Sequence, residues 1–331
     1  MRSTGKLIRV LATTATLAVA LAACSSQGGA QSQAGGGGGG ATAGKKYTIA
    51  MVTHEQAGDT FWDKIRAGAQ DAAAKLNVDL KYSNNENGPE QATLVQNAID
   101  SKVDGLAVTL SNADAVIPVA KKAADAGIPV VVFNQGFDQY KQAGAKMYFG
   151  SDEDLAGQTV GQRISSEGGG TGKTLCVIQA QGSVALETRC AGVKKTDPNT
   201  ENLQVNGADL PSVQATIGSK LQQDKSITSV VTLGAPIAMA ALQAKQTGGS
   251  QAKIITFDLS PDAAKAIQGG QIDFSVDQQP YVQGYMAVTS LWLSLTNGND
   301  IGGGKPVLTG PSFVDKTNIA QILPYTASNK R

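Results

Sequence analysis

Thr53-His54-Glu55-Gln56-Ala57-Gly58-Asp59-Thr60-Phe61-Trp62 is the stretch on which the fold turns. An apolar run, Tyr47-Thr48-Ile49-Ala50-Met51-Val52, leads into it, and Trp62, Ile65, Ala69, Ala72 and Leu76 follow at helical spacing. The order is strand, polar loop, helix. Such a loop lies at the carboxyl end of a strand, where open α/β sheets hold ligands. Thr60-Phe61-Trp62-Asp63 is read as a capping box that starts the helix. Neighbours on a helix point about 100° apart, so of the two adjacent aromatics one is expected to face the core and the other a cleft.

Working outward, the pattern repeats. Strands are expected over 47–53, 78–82, 105–109 and 130–133, and helices over 61–76, 89–101 and 113–126. Gly127-Ile128-Pro129 ends the last of these helices and opens its strand. A short strand over 146–150 leads into a second unit of the same kind. Its strands are expected over 174–179, 203–206, 229–233, 253–257 and 273–276. Its helices are expected over 154–166, 185–195, 212–223, 236–246 and 261–268. Alternation of this kind implies parallel sheets covered by helices. The expectation is an α/β protein of two Rossmann-like lobes facing across a cleft. A long helix over 280–296 returns to the first lobe, and the tail around 306–310 crosses back. The first lobe thus comprises 45–149 plus 280–308, and the second 150–279 plus 309–325.

The chain has 331 residues, enough for two domains, with 41% hydrophobic, 17% charged and only 5% aromatic residues. Residues 1–23 read as a signal peptide: Arg2, Lys6 and Arg9 precede an alanine-rich apolar run too short for a good membrane span. Removing them takes three of the 28 positive charges and none of the 27 negative ones, leaving a net charge of −2. That balance implies no basic face for nucleic acid. Leu21-Ala22-Ala23-Cys24 resembles the bacterial lipobox, whose cysteine becomes a lipidated N-terminus; the alternative is an ordinary signal peptide with an incidental cysteine. Residues 24–44 include six consecutive glycines and form a flexible tether. Cys176 lies in an expected strand and Cys190 in the helix after it. In an oxidising compartment a disulfide between them is expected, the alternative being two buried free thiols.

The residues just beyond each strand carry the candidate chemistry. In the first lobe they are His54-Glu55-Gln56, Asn84-Asn85, Ser111-Asn112 and Asn134-Gln135; in the second, Gln181, Asn206, Asp258 and Gln278-Gln279. Amides donate and accept while carboxylates accept, the mixture a neutral polyol needs, since each hydroxyl does both. Phe61 and Trp62 offer a flat apolar wall for the C–H face of a sugar ring. These edges lack the glycine-rich loops or Arg and Lys clusters that phosphate requires. The competing reading is that strand-end Asn and Asp merely cap and turn. Repetition in two lobes, together with the aromatic pair, favours the ligand.

With these residues in view, the chain resembles the ribose/galactose-type sugar-binding lipoproteins of bacterial ABC importers, which have the periplasmic binding protein type I fold. The resemblance spans about residues 45–323. It rests on Gly58-Asp59-Thr60-Phe61-Trp62, Val103-Asp104-Gly105-Leu106, Ala126-Gly127-Ile128-Pro129-Val130, Thr256-Phe257-Asp258 and Asp277-Gln278-Gln279-Pro280-Tyr281. It implies two lobes joined by a three-strand hinge and closing on one monosaccharide. By that pattern Phe61 and Trp62 flank the ring, Asp59 and Asn134 bind hydroxyls from the first lobe, and Asp258 and Gln278 bind from the second. Glu187 also stands at a ligand-contacting helix position. Ribose-type members have arginine where Glu187 stands, with Arg189 following two residues later, and asparagine where Gly234 stands. The resemblance therefore implies a pentose, hexose or cyclic polyol rather than ribose in particular.

The expected function is bind-and-close delivery of the sugar to a membrane permease, by a monomer without cofactor or metal. A glycosidase would need a carboxylate pair, and the spacing of Asp59, Glu187 and Asp258 singles out none. His54 is the only histidine, which leaves neither a nucleophilic triad nor a metal cluster. It is read as a cleft-edge hydrogen bonder, or else a plain loop residue. A sugar-responsive repressor would need DNA-binding helices where the leader and tether stand. A lipoprotein presenting sugar to a signalling receptor is the alternative function. Neighbouring permease or kinase genes would discriminate between the two.

Overall fold

The alternation of apolar runs becomes two sheets in the computed structural model of the protein, which describes residues 45–56, 59–168 and 172–331. The leader, Cys24 and the tether lie outside the described residues, as do Ala57 and Gly58 of the β1–α1 loop. The first half runs β1 (Thr48–Thr53), α1 (Phe61–Leu76), β2 (Asp79–Asn84), α2 (Gly88–Asp100), β3 (Gly105–Val108), α3 (Ala113–Asp125), β4 (Val130–Asn134) and β5 (Met147–Gly150). The second runs α4 (Glu153–Gly168), β6 (Lys173–Ile178), α5 (Val184–Thr196), β7 (Thr200–Gln204), α6 (Leu210–Gln223), β8 (Ile227–Thr232), α7 (Ala235–Gly248), β9 (Lys253–Phe257), α8 (Pro261–Gln268) and β10 (Phe274–Asp277). The chain ends with α9 (Pro280–Asn297), β11 (Val307–Leu308), β12 (Ser312–Asp315) and α10 (Ile319–Thr326).

The sheets have the orders β11-β5-β4-β3-β1-β2 and β12-β10-β9-β8-β6-β7. All pairings are parallel except β10 with β12. Ignoring the added edge strands, both are 2-1-3-4-5 sheets, so β4 of one lobe corresponds to β9 of the other. The order reverses between β1 and β3 in the first and between β6 and β8 in the second, and both switch points open at the carboxyl ends of the strands. The chain passes between sheets three times: from β5 into α4, from β10 into α9 and from β11 into β12. This is the expected two-lobed fold with three connections.

Parallel strands are covered on both faces, which is why the strands read as unbroken apolar runs. Ile49, Met51, Ala107, Val131, Phe133 and Phe149 of the first sheet lie under α1 and α9. Their alternates Ala50, Val52, Leu106, Val108 and Val132 lie under α2 and α3. α9 returns to the first lobe and crosses α1 at glycines. A Cβ at Gly68 would overlap the Tyr281 carbonyl, and one at Gly284 would overlap the Ile65 carbonyl. The second lobe repeats the device where α4 crosses α5: a Cβ at Gly157 would overlap the Arg189 carbonyl, and one at Gly192 would lie 2.5 Å from the Asp154 carbonyl.

Three local expectations are corrected. Thr60 makes no side-chain cap; instead Asp59 Oδ1 accepts from the Phe61 N–H at 3.0 Å, because Thr60 is already in helical conformation. The strand expected over 203–206 is Thr200–Gln204, an edge strand whose exposed side chains give it little apolar signal. β12 and α10 were not expected at all. One is four residues of antiparallel edge, and the other holds Pro324 inside its helix. Cys176 of β6 and Cys190 of α5 are joined as a disulfide, with Cα atoms 5.8 Å apart.

Candidate functional site

The polar strand-end residues divide by what their side chains do. Asn112 caps α3 by accepting from the Ala115 N–H, Asn85 accepts from the Asn87 N–H, and Asn206 accepts from the Ala208 N–H. These are turn and cap residues. Glu55 is also committed, paired with Arg66 and accepting from the Tyr82 hydroxyl at 2.7 Å. Gln181 and Glu187 are exposed.

Asn134 and Asp258 behave differently. They end β4 and β9, each follows a fully buried phenylalanine, and each has left-handed backbone, with φ of 62° and 63°. Such conformations in non-glycine residues cluster at functional sites. Two corresponding positions thus turn a polar side chain out of the sheet edge in the same strained way. The turned-out groups meet through Gln278, at the end of β10. Gln278 Nε2 donates to Asp258 Oδ2 at 3.2 Å, and Gln278 Oε1 accepts from Asn134 Nδ2 at 3.4 Å. Three of the expected residues, from both lobes, form one relay. All three are buried, and Asp258 Oδ1 has no protein partner. Burial pushes the Asp258 carboxyl up to about 7; Arg189 opposes this and Asp277 adds to it.

A second group gathers on the β1–α1 loop. Trp62 is 3% exposed and packs into the core with Ile49, Met51 and Ile65, while Phe61 stays half-buried. One aromatic thus faces the core and the other the edge. His54 meets the Trp62 ring edge-on at 4.7 Å, and Phe61 meets it edge-on at 5.3 Å. His54 Nδ1 lies 2.7 Å from Thr109 Oγ1, which accepts from Gln91 Nε2 at 3.1 Å. Burial lowers the His54 pKa to about 3, so the ring is neutral near pH 7. Asp59 is half-buried, and burial raises its pKa. Gln135 is half-buried after β4, with no side-chain partner among the described residues.

On α5 the helical turn separates the two candidates. Arg189 is buried, bonded to Glu153, with its guanidinium 4.8 Å from the centroid of the Phe257 ring. Burial works against its charge, but Glu153 keeps it a cation beside Asp258. Glu187, two residues earlier, points elsewhere and is not brought into the cluster.

Three contributors were not singled out from the sequence. Lys64 of α1 is buried, and among the described residues its ammonium reaches only the Thr60 carbonyl, at 3.4 Å. Burial lowers its pKa, while Asp258, Asp277 and Asp59 favour the charge, so it links the two groups electrostatically. Gln179, beyond β6, has a buried Oε1 without a partner, beside the space that Gly234 leaves open. Gln283 of α9 joins the relay itself. Apolar periodicity hides a polar residue on a helix's buried stripe, so neither Lys64 nor Gln283 gave a signal.

The arrangement offers acceptors, amides and an aromatic edge in a buried setting, with the Arg189 cation held by Glu153. It suits a neutral, hydroxyl-rich molecule. Comparisons with known proteins agree. The family model described as "Periplasmic binding protein domain" matches residues 49–300. A carbohydrate transporter from Acidothermus cellulolyticus 11B, solved in complex with myo-inositol, is 55% identical, with a TM-score of 0.84, covering 87% of this chain and 100% of that one. The ribose import binding protein RbsB of Escherichia coli is 27% identical over 72% of this chain and 82% of its own length. The xylose/arabinose-binding protein XylF of Sulfolobus acidocaldarius is 24% identical over 84% of this chain and 73% of its own.

Proposed function

Because the chain belongs to the periplasmic binding protein family, we propose that it captures a neutral monosaccharide or cyclic polyol between its lobes and delivers it to an ABC permease. The observation that carries the ligand class is the Asn134–Gln278–Asp258 relay, which ends in an unshared carboxylate oxygen. A hydroxyl group can donate to that oxygen and accept from a neighbouring amide. Phe61 supplies the apolar wall, with Trp62 buttressing it from the core. The 55% identical relative bound to myo-inositol favours a cyclic polyol within the class. Bound ligand would bridge the lobes and draw the population toward the closed state. The lobe division at 45–149 plus 280–308 against 150–279 plus 309–325 is proposed as the unit of that motion. Asp59, Gln135 and Arg189 complete the proposed set, Arg189 acting through Asp258; Glu187, exposed on α5, is left out of it.

The test is a thermal-shift series of the purified protein with myo-inositol, D-ribose, D-arabinose, D-xylose and D-allose. A ligand at 100 times its Kd should add about 2.7 kcal/mol of stability. Phe61→Ala should erase the shift while keeping the unliganded melting temperature close to the parent's. No shift with any of the five would refute the ligand class.

We propose further that Cys24 is acylated and anchors the protein to the outer face of the membrane, with residues 24–44 as tether. The support is Leu21-Ala22-Ala23-Cys24 after an apolar run. Stable anchoring takes at least two acyl chains. Cys24→Ser should move the protein from the membrane fraction to the soluble one; unchanged fractionation would refute the anchor.

A further inference from the structure

Gln283 sits near the start of α9, fully buried on the helix face that otherwise packs Gly284, Ala287 and Leu291 against the first sheet. A primary amide there is costly unless every group is bonded. Its Nε2 donates to the Gln278 backbone carbonyl at 3.1 Å and lies 3.2 Å from both Gln278 Oε1 and Thr309 Oγ1. Its Oε1 accepts from Asn134 Nδ2 at 3.2 Å. Thr309 Oγ1 in turn donates to the Gln278 carbonyl at 2.7 Å, and the Thr309 N–H donates to the Gly150 carbonyl at 2.8 Å. One side chain therefore stands where all three interlobe connections meet.

The direction of these bonds follows from two groups that only accept, the Gln278 backbone carbonyl and the Asp258 carboxylate. A backbone carbonyl only accepts. The Gln283 atom facing Gln278 O must therefore be nitrogen, and the atom facing Asn134 must be oxygen. Asn134 then has to present Nδ2 to Gln283. Gln278 Oε1, already facing the Gln283 and Asn134 nitrogens, has to send its own Nε2 to Asp258 Oδ2. The outcome leaves Asn134 Oδ1 and Asp258 Oδ1 as acceptors beside the second N–H of Gln278 Nε2, a donor, each in a fixed place.

We propose that Gln283 is a positioning residue that carries the fixed polarity of the Gln278 carbonyl, at the hinge, to the ligand-facing side chain of Asn134. It makes the site select ligands by where their hydroxyls donate. This rests on the ligand site proposed above. Without Gln283 the Asn134 amide keeps only its 3.4 Å contact to Gln278 Oε1 and can rotate half a turn, exchanging donor for acceptor, so discrimination between epimers falls along with affinity.

The experiment is isothermal titration of the full protein with two epimer pairs, myo- and scyllo-inositol and D-ribose and D-arabinose. It uses the parent, Gln283→Met, Thr309→Val and Asp258→Ala. Gln283→Met keeps the length and removes the bonds. It should weaken Kd for the preferred epimer by about 10- to 100-fold and shrink the ratio of Kd values within the pair. Thr309→Val, which frees one Gln283 bond, should shrink the ratio less, and it carries the test alone if Gln283→Met does not fold. A merely structural role would lower the melting temperature and leave the ratio unchanged. If Asp258→Ala binds like the parent, or the parent binds neither pair, the ligand site itself is misplaced. If Asp258→Ala loses binding while Gln283→Met, or Thr309→Val in its stead, keeps the epimer ratio, the role of Gln283 is overturned.

Discussion

Asp258→Asn is expected to cost the protein its ligand while making the unliganded fold harder to melt at pH 8. The two effects share one cause. Asp258 is buried at the end of β9 in left-handed backbone, with one oxygen held by Gln278 and the other unshared. A hydrogen bond from a ligand hydroxyl to a carboxylate is worth about 1.5–3 kcal/mol, and an amide oxygen recovers only part of it. Loss of two such bonds, or of one plus a misplaced N–H donor, weakens binding by roughly 100-fold or more. For stability, the carboxyl moves from its ordinary 3.8 to about 7 on folding. A raised carboxyl pKa means that the folded state holds the proton more tightly. The penalty is therefore complete above pH about 7, shrinks as pH falls, and is gone below the ordinary value. Its size at pH 8 is on the order of 4 kcal/mol. Asparagine carries no such penalty. Melting curves should place Asp258→Asn several degrees above the parent at pH 8 and close to it at pH 4. A variant that melts below the parent at both pH values would refute the account. His54, lowered from 6.5 to about 3, makes stability fall as pH drops below its ordinary value, but it does so equally in parent and variant and cancels from the comparison.

Gly68→Ala is expected to destabilise the protein by about 3 kcal/mol or more, against the preference of an isolated helix. Alanine is favoured over glycine in a helix interior by roughly 1 kcal/mol. At Gly68 that gain is overwhelmed, because the new methyl would occupy the place of the Tyr281 carbonyl oxygen, a rigid backbone atom. α1 and α9 would have to move apart, opening the packing of Ile65, Ala69, Ala287 and Leu291. Gly218→Ala is the internal contrast. Its methyl would meet only Ala244 Cβ, at 3.8 Å, so helix propensity should prevail and stability should rise by up to about 1 kcal/mol. Urea melts of the two variants would decide the matter. Similar midpoints for both would mean that the helices yield more easily than the geometry implies.

The fold was legible because parallel strands buried on both faces leave continuous apolar runs, such as Val130-Val131-Val132-Phe133, and helices between them keep their period. It faded where burial is one-sided, as in Thr200–Gln204, or where the element is a short antiparallel edge, as in Ser312–Asp315. The site was legible as a set of strand-end polar residues, but their division into caps and ligand groups was not. Asn112 and Asn134 look alike in sequence; only the tertiary structure turns one back onto its own helix and the other toward Gln278. Arg189 and Glu187 are two residues apart, and which one faces inward depends on the rotation of α5, fixed by its glycine contacts with α4. Lys64 and Gln283 lay within helical stripes that periodicity reads as core.

The return of α9 to the first sheet has a consequence for how such a chain is made. The strands of that sheet are nearly all present by Gly150, yet the helix that roofs one side begins only at Pro280. Until then Val131 and Phe149 lack the part of their cover that Ala287, Val288 and Leu291 supply. The leading half therefore cannot complete its core until the trailing helix has been made.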